Sequence, residues 1–382
     1  MHQKQLEEAF VSLYGSTQYA VFHSPGRVNL IGEHTDYNGG YVFPAALTLG
    51  TYAVVARRRD SLLRFASTKF DSKPIEVDLA HVHFHKEYEW VNYLLGVVAE
   101  FQSLGVPLGG LDILLHGNLP SNAGLSSSAS IALLMSVILN TLFSAAISTI
   151  ELVKLSQRSE NNFVGVSCGI MDQFAVGFGR KDQAMLLDCN TLSYQYIPIA
   201  LTSHSLVISN TNSPRRLSSS KYNERRRECE QAAKDLGVSL LCTLTAAQFE
   251  ANAHKITCPI ARKRATHAVL ENERTKEAAK QLAGGNLAAF GNLMNESHTS
   301  LRDLYEVTGT ALDTLAEAAW STPGVLGSRM TGAGFGGCTV SLVENEHIDN
   351  FIARVREIYQ DKTGQSASFY VANIGDGAKR VS

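Results

Sequence analysis

The sequence is poor in charged residues. They make up only 18% of 382 residues, below the quarter that is usual in globular domains, and 34 Lys and Arg against 36 Asp and Glu leave a formal net charge of −2. This balance does not supply the broad positive field that a general binder of nucleic acid or anionic membranes needs. With 45% hydrophobic residues, the chain is also not an acidic disordered tail.

Closely spaced cysteines are also missing. The six cysteines are scattered, and no two have the CxxC spacing of a metal or redox pair. Such a scatter is typical of free thiols in a reducing compartment. The first residues carry Glu7 and Glu8 where a signal peptide would have an apolar stretch. We therefore expect a cytoplasmic protein.

Charged residues are absent from Ile113 to Ile150, which raises the alternative of a membrane helix. The longest purely apolar run there, IALLM, falls far short of the roughly 18 residues that a membrane span requires. Serine, threonine and asparagine interrupt the rest. We favour a buried helix over 126–143.

The length predicts two domains, which we place at 1–200 and 201–382. We expect an N-terminal helix, then a strand that breaks at Pro25–Gly26, and further helices later in each domain. The predicted helices after the first cover 126–143, 151–162, 221–236, 259–283 and 311–320. Strands mixed with helices in this order predict an α+β fold.

The segment GRVNLIGEHTDY, residues 26–37, places Arg27, Glu33, His34 and Asp36 in a short loop after a strand. Such a mixture of hydrogen-bond donors and acceptors suits a polyol, whose hydroxyl groups each donate and accept. A surface turn with local ion pairs explains the same pattern and stays open.

The segment NLPSNAGLSSSAS, residues 118–130, leads from a glycine- and serine-rich turn into an apolar helix. The free N–H groups of a first helical turn bind anions, and the serines add hydroxyl groups that suit phosphate or magnesium. It is not a Walker A loop, because GK[ST] is missing. A plain serine N-cap is the alternative.

Two further segments complete the pattern. In ENNFVGVSCGIMDQF, residues 160–174, Glu160 and Asp172 lie among apolar residues and are candidates for a base or a cation ligand, although Asp172 could simply cap a helix. In RMTGAGFGG, residues 329–337, four glycines allow a close approach of the backbone to a ligand or another loop.

Together, these segments resemble the galactokinase branch of the GHMP small-molecule kinases, in order and spacing over essentially the whole chain. GRVNLIGEHTDY is similar to the sugar signature, GLSSSA to the phosphate loop, GIMDQF to the segment of the acidic catalytic residue, and SKYNERRRECE to the tyrosine segment. The resemblance implies a two-domain α+β fold, with an N-terminal domain like one domain of a ribosomal protein, a C-terminal ferredoxin-like domain and an active site in the cleft between them. It also implies transfer of the γ-phosphoryl group of ATP to the anomeric hydroxyl of galactose.

The resemblance assigns roles to residues of this sequence. Asp172 would be the base and Arg27 its partner. The sugar would be held by Glu33, His34, Thr35, Asp36, Gly169 and Tyr222. The phosphates would lie on Asn122, Ala123, Gly124, Leu125, Ser126, Ser127 and Ser128, the adenine on Ser67, Trp90 and Tyr93, and Mg²⁺ on Ser128 and Glu160. Asn122 departs from the family, in which glycine is common at this position.

Several alternatives stay open. A related kinase for galacturonate, arabinose or N-acetylgalactosamine would share these motifs, and so would a sensor that binds galactose and ATP without turnover. Beyond the small-molecule substrates we expect no nucleic-acid or membrane partner, and a monomer or weak homo-oligomer. Arg225 and Arg226 are candidates for a brace of the sugar loop.

Overall fold

The first half of the chain alternates strands with helices that cover one sheet. The computed structural model describes residues 3–70, 73–120, 123–213 and 218–382. The elements of this half are α1 (Gln3–Tyr14), β1 (Ala20–Asn29), β2 (Tyr41–Val42), β3 (Pro44–Arg57), β4 (Leu62–Ser67), β5 (Ile75–Asp78), α2 (Val91–Ser103), β6 (Leu111–Gly117), α3 (Ser127–Leu142), α4 (Thr149–Arg158), α5 (Met171–Phe178), β7 (Gln183–Asp188) and β8 (Tyr194–Pro198).

The second half is richer in helices. Its elements are β9 (His204–Asn210), α6 (Ser218–Leu236), α7 (Ala246–Asn252), α8 (Pro259–Ala283), α9 (Leu287–Ser300), α10 (Gly309–Trp320), β10 (Val325–Thr331), β11 (Cys338–Glu344), α11 (Ile348–Thr363), β12 (Ser368–Ala372) and β13 (Lys379–Arg380). Helices α7, α9 and α11 were not predicted from the sequence, and neither were α2 and α5 of the first half.

In the described ranges, the strands form three sheets. Their orders are β13-β1-β3-β6-β4-β5, β10-β11-β9-β12 and β2-β7-β8. Neighbouring strands are antiparallel except for β4 and β6, and β13 pairs with β1 through Phe22 opposite Arg380. Separate, mainly antiparallel sheets with helices packed on them confirm the α+β prediction.

The predicted break of the first strand at Pro25–Gly26 is wrong. Strand β1 continues to Asn29, with a shift of its register against β3 between Pro25 and Arg27. Gly26 is needed there because a Cβ would lie 2.6 Å from the carbonyl oxygen of Leu125. The bulge turns the strand without ending it, and it brings Arg27 against the loop that precedes α3.

The charge-free stretch contains a buried helix, as predicted. Helix α3 packs within the main apolar cluster of the first half, and its Ser136 hydroxyl pairs with the buried Ser156 hydroxyl of α4 at 2.8 Å. Satisfied in this way, serine is tolerated in an apolar interior. Within the described ranges, we find no helix with the length and apolar content to span a membrane.

The predicted helix over 151–162 does not continue as one α-helix. Helix α4 ends at Arg158, and residues Ser159–Val164 form a π-helical turn. Such turns insert a residue into the helix and are frequent at functional sites. Here the turn carries Glu160, whose side chain is buried.

An apolar cluster joins the two halves below the predicted sugar loop. Val28 and Ile31 lie in the same cluster as Phe290 of α9 and Val340 of β11. Because interiors of this kind are close-packed, the loop that follows β1 rests on a surface to which both halves contribute.

Because α3 is buried, we predict that truncation of Leu134 lowers the free energy of unfolding more than truncation of Leu13. Leu134 is fully buried, whereas Leu13 of α1 is 45% exposed. Leu134→Ala should lower the free energy of unfolding by about 2–5 kcal/mol because it leaves a cavity. Leu13→Ala should change it by less than about 0.5 kcal/mol. Urea unfolding followed by circular dichroism measures both, and equal losses would contradict the placement of α3 in the core.

Candidate active site

The predicted sugar loop follows β1 and contains two residues with left-handed backbone. Gly32 has φ of 95° and His34 has φ of 63°. For a residue with a Cβ this conformation costs roughly 1–2 kcal/mol, so the surroundings must hold His34 in place. Its Nδ1 lies 2.8 Å from the Tyr37 hydroxyl and its Nε2 lies 3.1 Å from the carbonyl oxygen of Ala333.

The contacts of His34 define its protonation. A carbonyl oxygen only accepts, so Nε2 carries a proton, and in a neutral ring Nδ1 then accepts from Tyr37. The Tyr37 oxygen then accepts from Tyr305 at 2.8 Å, and the Tyr305 oxygen accepts from the Cys229 thiol at 3.1 Å. Burial lowers the pKa of His34 to about 3, which agrees with a neutral ring. The loop is thus anchored by an ordered chain of hydrogen bonds.

Glu33 and Thr35, both predicted sugar ligands, point into the protein. The Glu33 carboxylate accepts from the N–H of Gly332 at 2.6 Å and from the Asn29 amide at 2.5 Å, and burial raises its pKa. The hydroxyl of Thr35 lies 2.7 Å from the carbonyl oxygen of Tyr41, and the side chain is buried. A direct contact of either side chain with a sugar stays a prediction.

Asp36, Gly169 and Tyr222 lie together. A Cβ on Gly169 would clash with the carboxylate of Asp36, so only glycine leaves room for that carboxylate. The Tyr222 ring, on α6, lies 5.6 Å from the ring of His34 between centroids. Burial, followed by the charge of Asp172, raises the pKa of Asp36 to about 7.

Arg27 and Asp172 form an ion pair at the start of α5. The guanidinium Nη2 lies 2.7 Å from Oδ1 of Asp172, and Nε donates to the same oxygen at 2.8 Å. The Arg27 side chain is only 4% exposed, whereas the Asp172 side chain is 29% exposed. Because Ser126 donates to the second oxygen at 2.7 Å, the carboxylate is fixed on both sides and still partly open to solvent.

The predicted phosphate loop meets this pair directly. Gly124 accepts from Nη1 of Arg27 at 2.7 Å through its carbonyl oxygen, and Gly124 and Ser126 have φ of 71° and 60°. The Ser126 hydroxyl turns to Asp172 and does not cap α3, so the helix starts at Ser127 without that cap. Ala123 and Leu125 are buried, Ser127 is exposed and Ser128 is half-buried. Asn122 lies outside the described residues.

Glu160 has the surroundings of a cation ligand. Burial raises its pKa to about 7, and the hydroxyl of Ser128 and the amide of Gln173, at 2.7 Å, donate to it. Within the part of the chain that the structure describes, no lysine or arginine pairs with this carboxylate. A buried carboxylate next to a hydroxyl and without a cationic side chain fits Mg²⁺, which prefers few oxygen ligands from the protein.

Two of the three predicted adenine residues, Trp90 and Tyr93, lie at the start of α2. Burial, and after it the charge of Glu160, raises the pKa of Tyr93 to about 12. The ring of Phe70 lies parallel to the ring of Trp90, with 6.2 Å between the centroids and 9° between the planes. Phe70 is 50% exposed, and it was not identified from the sequence. Ser67 ends β4, and its hydroxyl accepts from the N–H of Lys69 at 3.3 Å.

The C-terminal glycine loop connects the sugar loop to the phosphate loop. Gly332 donates to Glu33, and a Cβ on Gly332 would lie 3.0 Å from the carbonyl oxygen of Gly124. Its φ of 87° is a second reason for glycine. The close approach that the sequence predicted is therefore an approach to other loops.

One of the two predicted braces contacts the surroundings of the sugar loop. Arg225 is buried and donates to the carbonyl oxygen of Tyr305 at 2.7 Å. Arg226 instead pairs with Glu230 along the surface of α6 at 3.0 Å. Its assignment as a brace was wrong, because the helix turns it away.

Known proteins share these features in sequence and structure. Residues 8–57 match the galactokinase galactose-binding signature, 92–180 the N-terminal domain of GHMP kinases and 277–361 the C-terminal domain. A galactokinase from Fusobacterium nucleatum is 55% identical over 94% of both chains, and one from Bacillus subtilis is 50% identical over 99% of both.

Solved structures agree. The crystal structure of Lactococcus lactis galactokinase complexed with galactose superposes with a TM-score of 0.97, at 46% identity over 99% of each chain. The mevalonate kinase of Methanococcus jannaschii, 17% identical with a TM-score of 0.67, shares the fold over 94% of this chain and 99% of that chain. The implied GHMP kinase fold is thus confirmed, and the chain belongs to the galactokinase family of GHMP kinases.

Proposed function

We propose that the protein transfers the γ-phosphoryl group of ATP to the anomeric hydroxyl of galactose, giving galactose 1-phosphate and ADP. The observation that carries the proposal is the Asp172 carboxylate, fixed by Arg27 and Ser126 at the point where the sugar and phosphate loops meet. Identity of about 50% to galactokinases over nearly the full chain supports the same reaction.

The reaction needs a path for one proton. The anomeric oxygen of the sugar attacks the γ-phosphorus, a new O–P bond forms, and the bond from phosphorus to the bridging oxygen of ADP breaks. The hydroxyl proton passes to Asp172, which acts as the general base. Arg27 holds that carboxylate in place and adds positive charge beside the transferring group, so the protein contributes mainly positioning and electrostatics.

The phosphate groups have a suitable surface at the start of α3. The N–H groups of its first turn point away from the helix, and the Gly124–Ser128 backbone and hydroxyls surround them. Glu160 and Ser128 would hold Mg²⁺, which neutralises charge on the β- and γ-phosphate oxygens when it is bound. We assign the adenine to Trp90 and Tyr93, with Phe70 as an additional wall and Ser67 at the edge.

The sugar is assigned to the side of the base that faces the second half. Asp36 and Tyr222 present polar groups beside Gly169, and His34 is fixed between them and the glycine loop. Glu33 and Thr35, the other predicted sugar ligands, hold the loop in its conformation through their hydrogen bonds to Gly332 and Tyr41. A pocket whose polar groups need specific hydroxyl partners rejects sugars that lack them, which favours galactose over its isomers.

We also propose that the two halves divide near residue 200. In support, β8 ends at Pro198, and β9 begins at His204 in another sheet. On this division, residues 1–200 supply the base, the phosphate loop and the metal ligands. Residues 201–382 supply Tyr222 and the glycine loop.

Replacement of the base tests the proposed function. Asp172→Asn should lower kcat for galactose by roughly 10²–10⁴-fold, because the shape remains while the base is lost. Galactose affinity in calorimetry should change little. Asp60→Asn, which alters an exposed pair with Arg58, is the matched control and should keep wild-type kcat. A near-normal kcat in Asp172→Asn would rule out the base.

Because Glu160 is buried, we predict that the stability of the protein falls as the pH rises. The pKa of Glu160 is raised from 4.5 to about 7 because the ionised form is buried. The folded, metal-free protein therefore loses stability as the pH rises from about 4.5 through about 7. At about pH 8 and without Mg²⁺, Glu160→Gln should therefore be more stable than wild type, on the order of 1–3 kcal/mol. Near pH 4 the difference should vanish.

The same variant should need more Mg²⁺ for turnover. The exposed Glu151, in an ion pair with Lys154, provides the control Glu151→Gln. Thermal unfolding at several pH values and Mg²⁺ titration of the rate measure both effects. Identical pH and Mg²⁺ profiles for Glu160→Gln and wild type would refute the metal role.

Gly169→Ala tests the placement of the sugar. The added methyl group must displace the Asp36 carboxylate, so the KM for galactose should rise by about 10-fold or more while the KM for ATP stays the same. Gly109→Ala is the control, since its nearest contact would be a Phe143 ring carbon at 3.5 Å. A normal galactose KM in Gly169→Ala would place the sugar elsewhere.

A further inference from the structure

Arg329 is a fully buried cation at the start of the glycine-rich segment, and it was assigned no role from the sequence. It is on β10 in the second half, and its side chain has 0% exposure. Its Nη1 donates to the carbonyl oxygens of Asn29 and Leu30 at 3.3 and 3.4 Å. Both carbonyls belong to the segment from which the sugar loop departs, so the arginine reaches from one half of the chain to the other.

The same guanidinium compensates the buried charge of Glu33. Its Nη2 lies 2.9 Å from Oε2 of Glu33, as an ion pair without good hydrogen-bond geometry. The other oxygen of Glu33 accepts from Gly332, three residues after Arg329 in the chain. Thr331 closes the arrangement, because its hydroxyl donates to the carbonyl oxygen of Asn29 at 2.9 Å and accepts from the Asn29 N–H at 3.1 Å.

A second buried carboxylate, that of Glu271, holds Gly32, the residue before Glu33. Glu271 of α8 accepts from the N–H of Gly32 at 3.1 Å and from the Ser297 hydroxyl at 2.5 Å. Ser297 in turn accepts from Nε of Arg329 at 3.1 Å, and Arg274 forms an ion pair with Glu271. Two arginines and two glutamates thus balance one another around the base of the sugar loop.

Stability alone does not account for this arrangement. Replacement of buried ion pairs by apolar residues is often neutral or stabilising, because removal of charges from water is costly. A guanidinium presents its N–H donors in a rigid plane, so several acceptors are fixed at once in one geometry. Here the acceptors are two backbone carbonyls, a hydroxyl and a carboxylate, all next to the loop that carries His34 and Asp36.

We propose that Arg329 is a positioning residue for sugar binding: through Glu33 and the carbonyl oxygens of Asn29 and Leu30, it fixes the sugar loop against the glycine loop. This inference rests on the proposed function, since the affected ligand is galactose. Arg329 itself touches neither the sugar nor the reacting atoms. Its loss acts on the placement of His34 and Asp36, whereas Asp172 and its partners keep their contacts.

The test separates KM from kcat. Arg329→Lys keeps the charge and loses the planar donor set, so the KM for galactose should rise about 10- to 100-fold, while kcat and the KM for ATP stay within about 3-fold. The double variant Arg329→Met/Glu33→Gln removes both charges. It should be thermally more stable than Arg329→Met alone, which leaves Glu33 unpaired, but it should not regain galactose affinity. Ser297→Ala removes the acceptor of Nε together with the hydroxyl that donates to Glu271. It should fold normally and raise the galactose KM about 3-fold, since one or two buried hydrogen bonds are lost.

The control is Arg58→Lys, an arginine paired with Asp112 in the first sheet, which should leave all constants unchanged. A merely structural role of Arg329 would lower the active fraction, and so the apparent kcat, at constant KM. Wild-type galactose affinity by calorimetry in folded Arg329→Lys and Ser297→Ala would overturn the inference. Failure of the proposed function would instead be seen in the wild-type protein, as absence of galactose binding and turnover.

Discussion

The buried guanidinium of Arg27 is the contact on which the site depends. It lies just after the bulge of β1, and from there it pairs with Asp172 at the start of α5 and with the carbonyl oxygen of Gly124 before α3. Three separate segments therefore meet at one side chain. Because that side chain is almost fully buried, none of the three can move without leaving a charge unpaired in the interior. The Asp172 carboxylate and the loop before α3 are thus held in one arrangement.

The site also contains two carboxylates whose ionised forms are destabilised by burial. Asp36 and Glu160 both have pKa values raised to about 7, mainly by burial and in part by the charge of Asp172. Groups of this kind destabilise the empty protein and interact strongly with a cation or with hydroxyl donors that reach them. In contrast, the carboxylates around Arg329 have arginine partners within the protein, Arg329 for Glu33 and Arg274 for Glu271, although burial still raises the pKa of Glu33. The first set is suited to ligands, and the second fixes the loops that present it.

From the sequence we predicted which segments meet at the site better than how they are held there. Arg27, Asp172, Ser126 and Gly124 converge from segments with recognisable composition, because anion-binding turns and buried carboxylates have a local signal. The inward direction of Glu33 has no such signal, since it depends on an arginine some 300 positions away in the chain. Phe70 lies beside Trp90 for the same reason: the contact is set by tertiary packing, which residue types alone do not specify.

The fold shows the same limit. The helix spacing predicted α3 within one residue at each end, because an apolar stretch with helical periodicity is a local property. The bulge at Gly26 and the π turn at Glu160 were misread, as a strand break and as continued helix. Both depend on contacts with distant segments, the loop before α3 and the side chain of Gln173. Local deviations from regular structure thus coincide with the residues that form the site.

The central claim, attack of the anomeric oxygen of galactose on phosphorus, has a direct test. Galactose carrying a heavy isotope of oxygen at the anomeric position is incubated with ATP, Mg²⁺ and the protein, and the product is analysed by phosphorus NMR. The account predicts one phosphorylated product, with the label retained between the anomeric carbon and phosphorus. A product phosphorylated at another hydroxyl, or loss of the label from the bridge, would contradict it.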